Sequence, residues 1–125
     1  MLRISLAAVA LMLATSTAFA APMVKNGILV DDQGMTLYTF DKDEPGVSKC
    51  EGPCLANWPA AVVAAGEAAH GEFSQIVRAD GTKQWAYDGK PLYRWIKDAK
   101  SGDMTGDGVK DVWHVVKMDG YGKSR

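Results

Sequence analysis

The sequence predicts a mainly β fold: one small domain of two related β units with antiparallel strands and room for one short helix. Three observations carry that reading. A stretch is written twice, so that Gly34, Leu37, Tyr38, Asp43 and Trp58 map by one constant offset onto Gly89, Leu92, Tyr93, Asp98 and Trp113, and Phe40 maps onto another aromatic, Trp95. Turn chemistry recurs at short intervals, at Asn26-Gly27, Gln33-Gly34, Asp80-Gly81, Asp88-Gly89, Gly106-Asp107-Gly108 and Asp119-Gly120. The runs between these turns are rich in Val, Ile, Thr, Tyr, Phe and Trp, which suit pleated, half-buried backbone. The repeats are placed at about 27–63 and 82–118.

Residues 1–20 read as an export signal, with Arg3 as the positive start, an apolar run over 6–14, and Ala18-Phe19-Ala20 as an A-x-A cleavage box. An apolar run of about nine residues is too short to cross a bilayer, so a cleaved signal is expected rather than an anchor. The single domain is therefore expected at 21–125, beginning at Ala21. The two cysteines, Cys50 and Cys54, lie far from that point, so no lipid anchor and no membrane insertion after signal removal are expected. The product is expected in the periplasm or outside the cell.

Within the domain, strands are expected at 28–30, 36–40, 73–79, 83–87, 91–96 and 112–118, with 58–63 as a further candidate. The alanine-rich stretch 60–70 is read either as a short helix or as a loose connection. Alternation along the repeated strands sends Tyr38 and Phe40 to one face, and Tyr93 and Trp95 to the matching face of the second copy. Leu37 and Leu92 point the other way. Asp43 and Asp98 fall past the strand ends, where a carboxylate accepts backbone N–H bonds and holds a turn.

Fourteen basic and fifteen acidic side chains leave a formal charge of −1, with no block of either sign. Nucleic acid or an anionic membrane would need a clustered basic surface, so neither is an expected partner. An envelope protein or a small ligand is, and the chain is expected to be a monomer.

The two motif copies, Tyr38-Thr39-Phe40-Asp41-Lys42-Asp43 and Tyr93-Arg94-Trp95-Ile96-Lys97-Asp98, resemble the bacterial predicted-lipoprotein family with the Y-x-[FWY]-x-x-D motif. Cys50-Glu51-Gly52-Pro53-Cys54 before Asn57-Trp58-Pro59, and Gly106-Asp107-Gly108 before Trp113-His114-Val115-Val116, look like that family's motif tails. The resemblance implies a secreted repeat of unknown function. It implies location and architecture without chemistry, and the chain departs from it in lacking a lipidated cysteine.

Three places are candidates for chemistry or binding. Cys50 and Cys54 form a C-x3-C pair, for which an oxidising compartment makes a disulfide the default. The alternative is a copper or thiol-redox centre, since thiolates suit Cu(I), with a third ligand from His70, His114, Met23, Met35, Met104 or Met118. His114 is otherwise read as a strand residue and His70 as a solvated loop residue. Asp103, Thr105, Asp107 and Asp111 follow the opening half of a calcium loop, but His114 stands where the bidentate Glu belongs. Turn chemistry accounts for the same residues. Under the constant offset Cys50 lies on Thr105 and Cys54 on Val109, so a cysteine staple in one copy answers to a Gly/Asp loop in the other. Third, Tyr38, Phe40, Trp58, Tyr93, Trp95 and Trp113 are either core or, where exposed, an aromatic platform for a ligand. No hydrolase, phosphate-loop, zinc or haem motif is present, so a non-catalytic binding or structural module without a cofactor is expected, calcium and copper being the alternatives.

Overall fold

The computed structural model describes residues 18–118, so the signal reading up to residue 17 and the Asp119-Gly120 turn lie outside the described residues. The chain runs through β1 (Ala18–Phe19), β2 (Met23–Lys25), β3 (Ile28–Val30), β4 (Tyr38–Phe40), α1 (Pro53–Asn57), β5 (Val62–Val63), β6 (Phe73–Val77), β7 (Lys83–Tyr87) and β8 (Lys90–Pro91). A 3-10 turn (Val109–Asp111) and β9 (Trp113–Val115) follow. Two tight hairpins, β2–β3 and β7–β8, are closed by Asn26-Gly27 and Asp88-Gly89, all four with positive φ. A two-residue hairpin loop of this kind needs two left-handed residues in succession, which Asn-Gly and Asp-Gly supply at least cost.

The two units exchange strands. β4 of the first pairs antiparallel with β9 of the second, Tyr38 opposite Val115 and Phe40 opposite Trp113. The counterpart contact in the other direction is Tyr93 opposite Ala60, with Arg94 N–H donating to the Pro59 carbonyl and Ile96 N–H to that of Asn57. β5, from the first copy, also lies against β7 of the second, and Ile28 of the first meets Lys117 of the second. At the centre Tyr38 and Tyr93 bond each other through both N–H and C=O, at 2.8 and 3.0 Å. These equivalent residues therefore join the two copies through their backbones.

Period-two alternation then sorts the core into two clusters. Leu37 and Leu92 pack with Phe19, Leu29, Ala61, Phe73, Trp85 and Met118. Tyr38 and Tyr93 pack on the opposite side with Cys50, Trp58, Trp113 and Val115. Every residue in both sets is buried.

Several expected elements differ. The short helix sits at Pro53–Asn57 and not within 60–70, because Pro53 pre-sets the first helical φ and Trp58 N–H closes onto the Cys54 carbonyl at 2.8 Å. The strand expected over 91–96 is reduced to β8 and to Tyr93, which is bridged on one side to Tyr38 and on the other to Ala60. The strand expected over 73–79 stops at Val77, where Arg78 N–H turns to Thr82 O and Gly81 N–H to Arg78 O. Regular pairing also begins only at Tyr38 in 36–40 and is confined to Trp113–Val115 in 112–118. β1 and β2 have no counterpart in the expected set.

Candidate functional site

The six aromatic residues singled out from the sequence come together, and the strand exchange is what joins them. Trp58 and Trp113, equivalent residues of the two copies, stack face to face with centroids 3.8 Å apart and planes 2° from parallel. Phe40 stacks on the outer face of Trp113 at 4.2 Å, and its equivalent Trp95 on the outer face of Trp58 at 4.0 Å. The result is a four-ring ladder, Phe40, Trp113, Trp58, Trp95, in which each terminal ring covers the tryptophan of the other unit. Tyr38 meets Trp58 edge-on and Tyr93 meets Trp113 edge-on, again in matching positions. Gly106 lies against the ladder so closely that a Cβ there would stand 2.9 Å from ring atoms of Trp58 and Trp95, so only glycine fits.

Below the ladder the motif tyrosines and aspartates pair across the copies. Tyr38 OH donates to Asp98 Oδ2 at 2.6 Å, and Tyr93 OH donates to Asp43 Oδ2 at 2.7 Å. The second carboxylate oxygen performs the turn-holding role expected from the sequence: Asp43 Oδ1 accepts from Lys49 N–H, and Asp98 Oδ1 from Thr105 N–H and Oγ1. Burial first, and the adjacent carboxylate second, hold both phenols well above their ordinary value. Burial also raises the Asp43 carboxyl, against the downward pull of the Tyr93 and Lys49 donors and of the Arg78 charge.

A phenol whose folded pKa is raised contributes stability that is intact below its unfolded value of about 10 and is lost as pH rises beyond it. Tyr38 and Tyr93 are therefore expected to remain silent in an alkaline absorbance titration past the ordinary phenol range. They should ionise only together with cooperative unfolding seen by circular dichroism. Ionisation of either phenol in the folded protein near its ordinary value would contradict the cross-pairing.

Around Tyr93 lies a feature that the sequence does not announce. Arg78, at the end of β6, is buried and donates from Nη1 to Ser48 Oγ and Gln84 Oε1, and from Nη2 to the Cys50 carbonyl. Because Tyr93 gives its proton to Asp43, the Ser48 hydroxyl donates to Tyr93, and one directional chain runs from Arg78 through Ser48 and Tyr93 to Asp43. At the matching place in the other half, Gly106 N–H donates to Tyr38 OH.

Cys50 and Cys54 are joined as a disulfide with Cα atoms 5.2 Å apart, across the first turn of α1. Both sulfurs are used in that bond, and the loop is tied to the sheet by Arg78. The second loop holds itself differently. Asp103 Oδ2 accepts from Ala99 and Lys100 N–H, Asp107 Oδ1 from Val115 N–H, and Thr105 Oγ1 gives its proton to Asp98. The oxygens of the calcium-like pattern thus turn to separate partners, while Asp111 is exposed with φ of 59°. Among the described residues no group of three or more His, Cys, Asp or Glu side chains is placed to hold an ion. His114 pairs with Asp41 at 2.8 Å, and His70 is exposed.

The ladder is not sealed. Phe40 and Trp95 are half-buried, and all four rings line a cleft of about 530 Å³ beside α1 and the 3-10 turn. Lys42, Lys97 and Lys110 stand around it, and no acidic side chain among the described residues lines it. None of these lysines is ion-paired among the described residues, and Lys97 Nζ lies 6.0 Å from the Trp95 ring. A wider cleft of about 890 Å³ near His114 mixes Asp41, Glu72 and Asp88 with Lys90 and Lys117, and offers no such single-signed field.

The family model described as a secreted repeat of unknown function, Lipoprotein_15, matches residues 23–62 and 74–117. The chain belongs to that family, and the two matched segments carry the two copies whose strands interleave. No curated protein matches the chain, and no solved structure does.

Proposed function

We propose that this member of the secreted-repeat family is an exported, non-catalytic binding module, acting as a monomer in the periplasm or outside the cell. Its ligand is a small anion with a flat apolar body, taken in the cleft along the ladder. The observation that supports this reading is the cleft itself: four aromatic rings, three lysines without ion pairs, and no lining carboxylate among the described residues. The rings supply apolar surface for a flat body, and the lysines supply a field of one sign for its charge. The volume is within the range of small-molecule sites, about 300–1,000 Å³. The groups best suited to acid–base chemistry, Tyr38, Tyr93, Asp43 and Asp98, are occupied in bonds that join the two copies, which is why binding is preferred to catalysis.

Titration with 2-naphthoate is expected to change the tryptophan fluorescence saturably, with an affinity that falls as salt is added. The uncharged 2-naphthamide should bind more weakly. Replacing Lys97 and Lys110 together by glutamine should weaken naphthoate binding about fivefold to tenfold without changing the fold, two exposed charges each contributing a modest amount. Equal binding of the acid and the amide, or no saturable signal with either, would refute the reading.

A further inference from the structure

We propose that the seat of β1 is a second binding site, a groove for an extended peptide segment that carries a phenylalanine-like side chain, opened when the export signal is cut after Ala20. In the described chain this seat is filled by Ala18–Phe19, which therefore displays the chemistry of the ligand. Phe19 is 2% exposed and belongs to the core cluster with Leu29, Leu37, Trp85 and Leu92. Its carbonyl accepts two bonds, from Trp85 Nε1 and from Ala64 N–H, both at 2.9 Å. Ala18 and Phe19 run parallel to Val62 and Val63 as the edge strand of the larger sheet, and the Arg94 guanidinium lies 5.3 Å from the Phe19 ring.

The A-x-A box puts this residue on the side of the cut that leaves with the signal. Removing it would open an apolar slot beside Trp85, leave the indole N–H of a fully buried tryptophan without its acceptor, and bare the edge of β5. A buried donor without a partner and an uncovered strand edge both favour a replacement. The replacement is defined by what the seat offers. Two converging N–H groups and a strand edge call for an extended backbone with a carbonyl between them, and the slot calls for an aromatic side chain, which is strand addition at a sheet edge. The seat also adjoins a cleft of about 380 Å³ lined by Pro59, Ala60, Val62, Arg94 and Ile96, in which Ile96 is 58% exposed, so a longer segment has apolar surface to follow. Trp95 lines both this cleft and the ladder cleft, but none of the three lysines borders this one, so its occupancy does not depend on them.

The test begins with the intact mass of the natively exported protein, expected to start at Ala21. A mature chain that retains Phe19 would overturn the proposal, since its own residue would fill the seat. The exported protein is then titrated with an acetylated, amidated peptide of residues 16–20, alongside the same peptide with alanine in place of phenylalanine. The Trp85 indole N–H resonance is expected to shift, the melting temperature to rise, and the alanine peptide to bind at least about tenfold more weakly. No shift at Trp85 with millimolar peptide, or equal binding of the two peptides, would overturn it. So would a dimer in sedimentation before peptide is added, if the peptide dissociated it, because a second copy would then be the occupant. The Lys97 and Lys110 double substitution separates the two sites: peptide binding should survive it, and its loss there would place the peptide in the ladder cleft.

Discussion

Alanine at Trp58 or Trp113 is expected to remove about 3–5 kcal/mol of stability in either case, a large share of the 5–15 kcal/mol that holds a domain folded. The two rings are 5% and 3% exposed, and each touches three other aromatic rings, so truncation leaves a void that the rigid neighbours cannot close. Their equivalence under the repeat makes the two costs similar. Each tryptophan also packs against side chains of the opposite copy, so its loss loosens the junction between units and not one unit alone. Urea unfolding should therefore remain a single transition, at a lower midpoint, in both variants. The double variant should cost less than the sum, because the contact between the two rings can be lost only once. A cost below about 1 kcal/mol for either ring would show that the ladder is not what joins the copies.

Much of this arrangement is legible in the sequence. The constant offset names the residues that meet, and alternation separates Leu37 and Leu92 from Tyr38 and Tyr93 onto the two sides that the core clusters occupy. The exchange of strands is not legible, because a period-two pattern is the same whether a segment pairs within its own copy or with the other. The Asp residues illustrate the limit. Turn chemistry accounts for one oxygen of Asp43 and of Asp98, but the bond of the other oxygen to the opposite tyrosine depends on a pairing that spans the whole chain. The alanines of 60–70 allow a short helix or a loose connection, yet the chain is drawn into β5, inside the further strand candidate 58–63, by pairing with Gln84 of β7. Phe19 reads as the middle of a cleavage box, and nothing in local composition can show that a core slot is shaped around it.

Arg78 is the case where the two copies stop matching, and its removal is the second large effect. It comes from the end of β6, outside the repeated motif, and it is 7% exposed with no carboxylate within ion-pairing distance among the described residues. Its charge is satisfied by three neutral acceptors, Ser48 Oγ, Gln84 Oε1 and the Cys50 carbonyl, at 2.7 to 2.8 Å. Arg78→Met keeps the apolar stem and takes the guanidinium donors from Gln84 Oε1 and the Cys50 carbonyl, leaving Ser48 Oγ only the Cys50 N–H at 3.3 Å, which is expected to cost about 3 kcal/mol in urea unfolding. Arg78→Lys should recover only part of it, since one ammonium cannot reproduce a fork that reaches two sides at once. The pH dependence distinguishes this network from simple packing. Arg78 lowers the Asp43 carboxyl, whose value burial otherwise raises, so the methionine variant should carry a still higher Asp43 value. A raised folded carboxyl means that the folded state binds more protons than the unfolded one just above the ordinary carboxylate range, and stability falls as pH climbs through that window. The penalty of Arg78→Met is therefore expected to be larger at neutral pH than in mild acid. The same penalty at both would mean that the guanidinium acts on the cysteine loop through packing, and that the chain from Arg78 to Asp43 carries no electrostatic coupling.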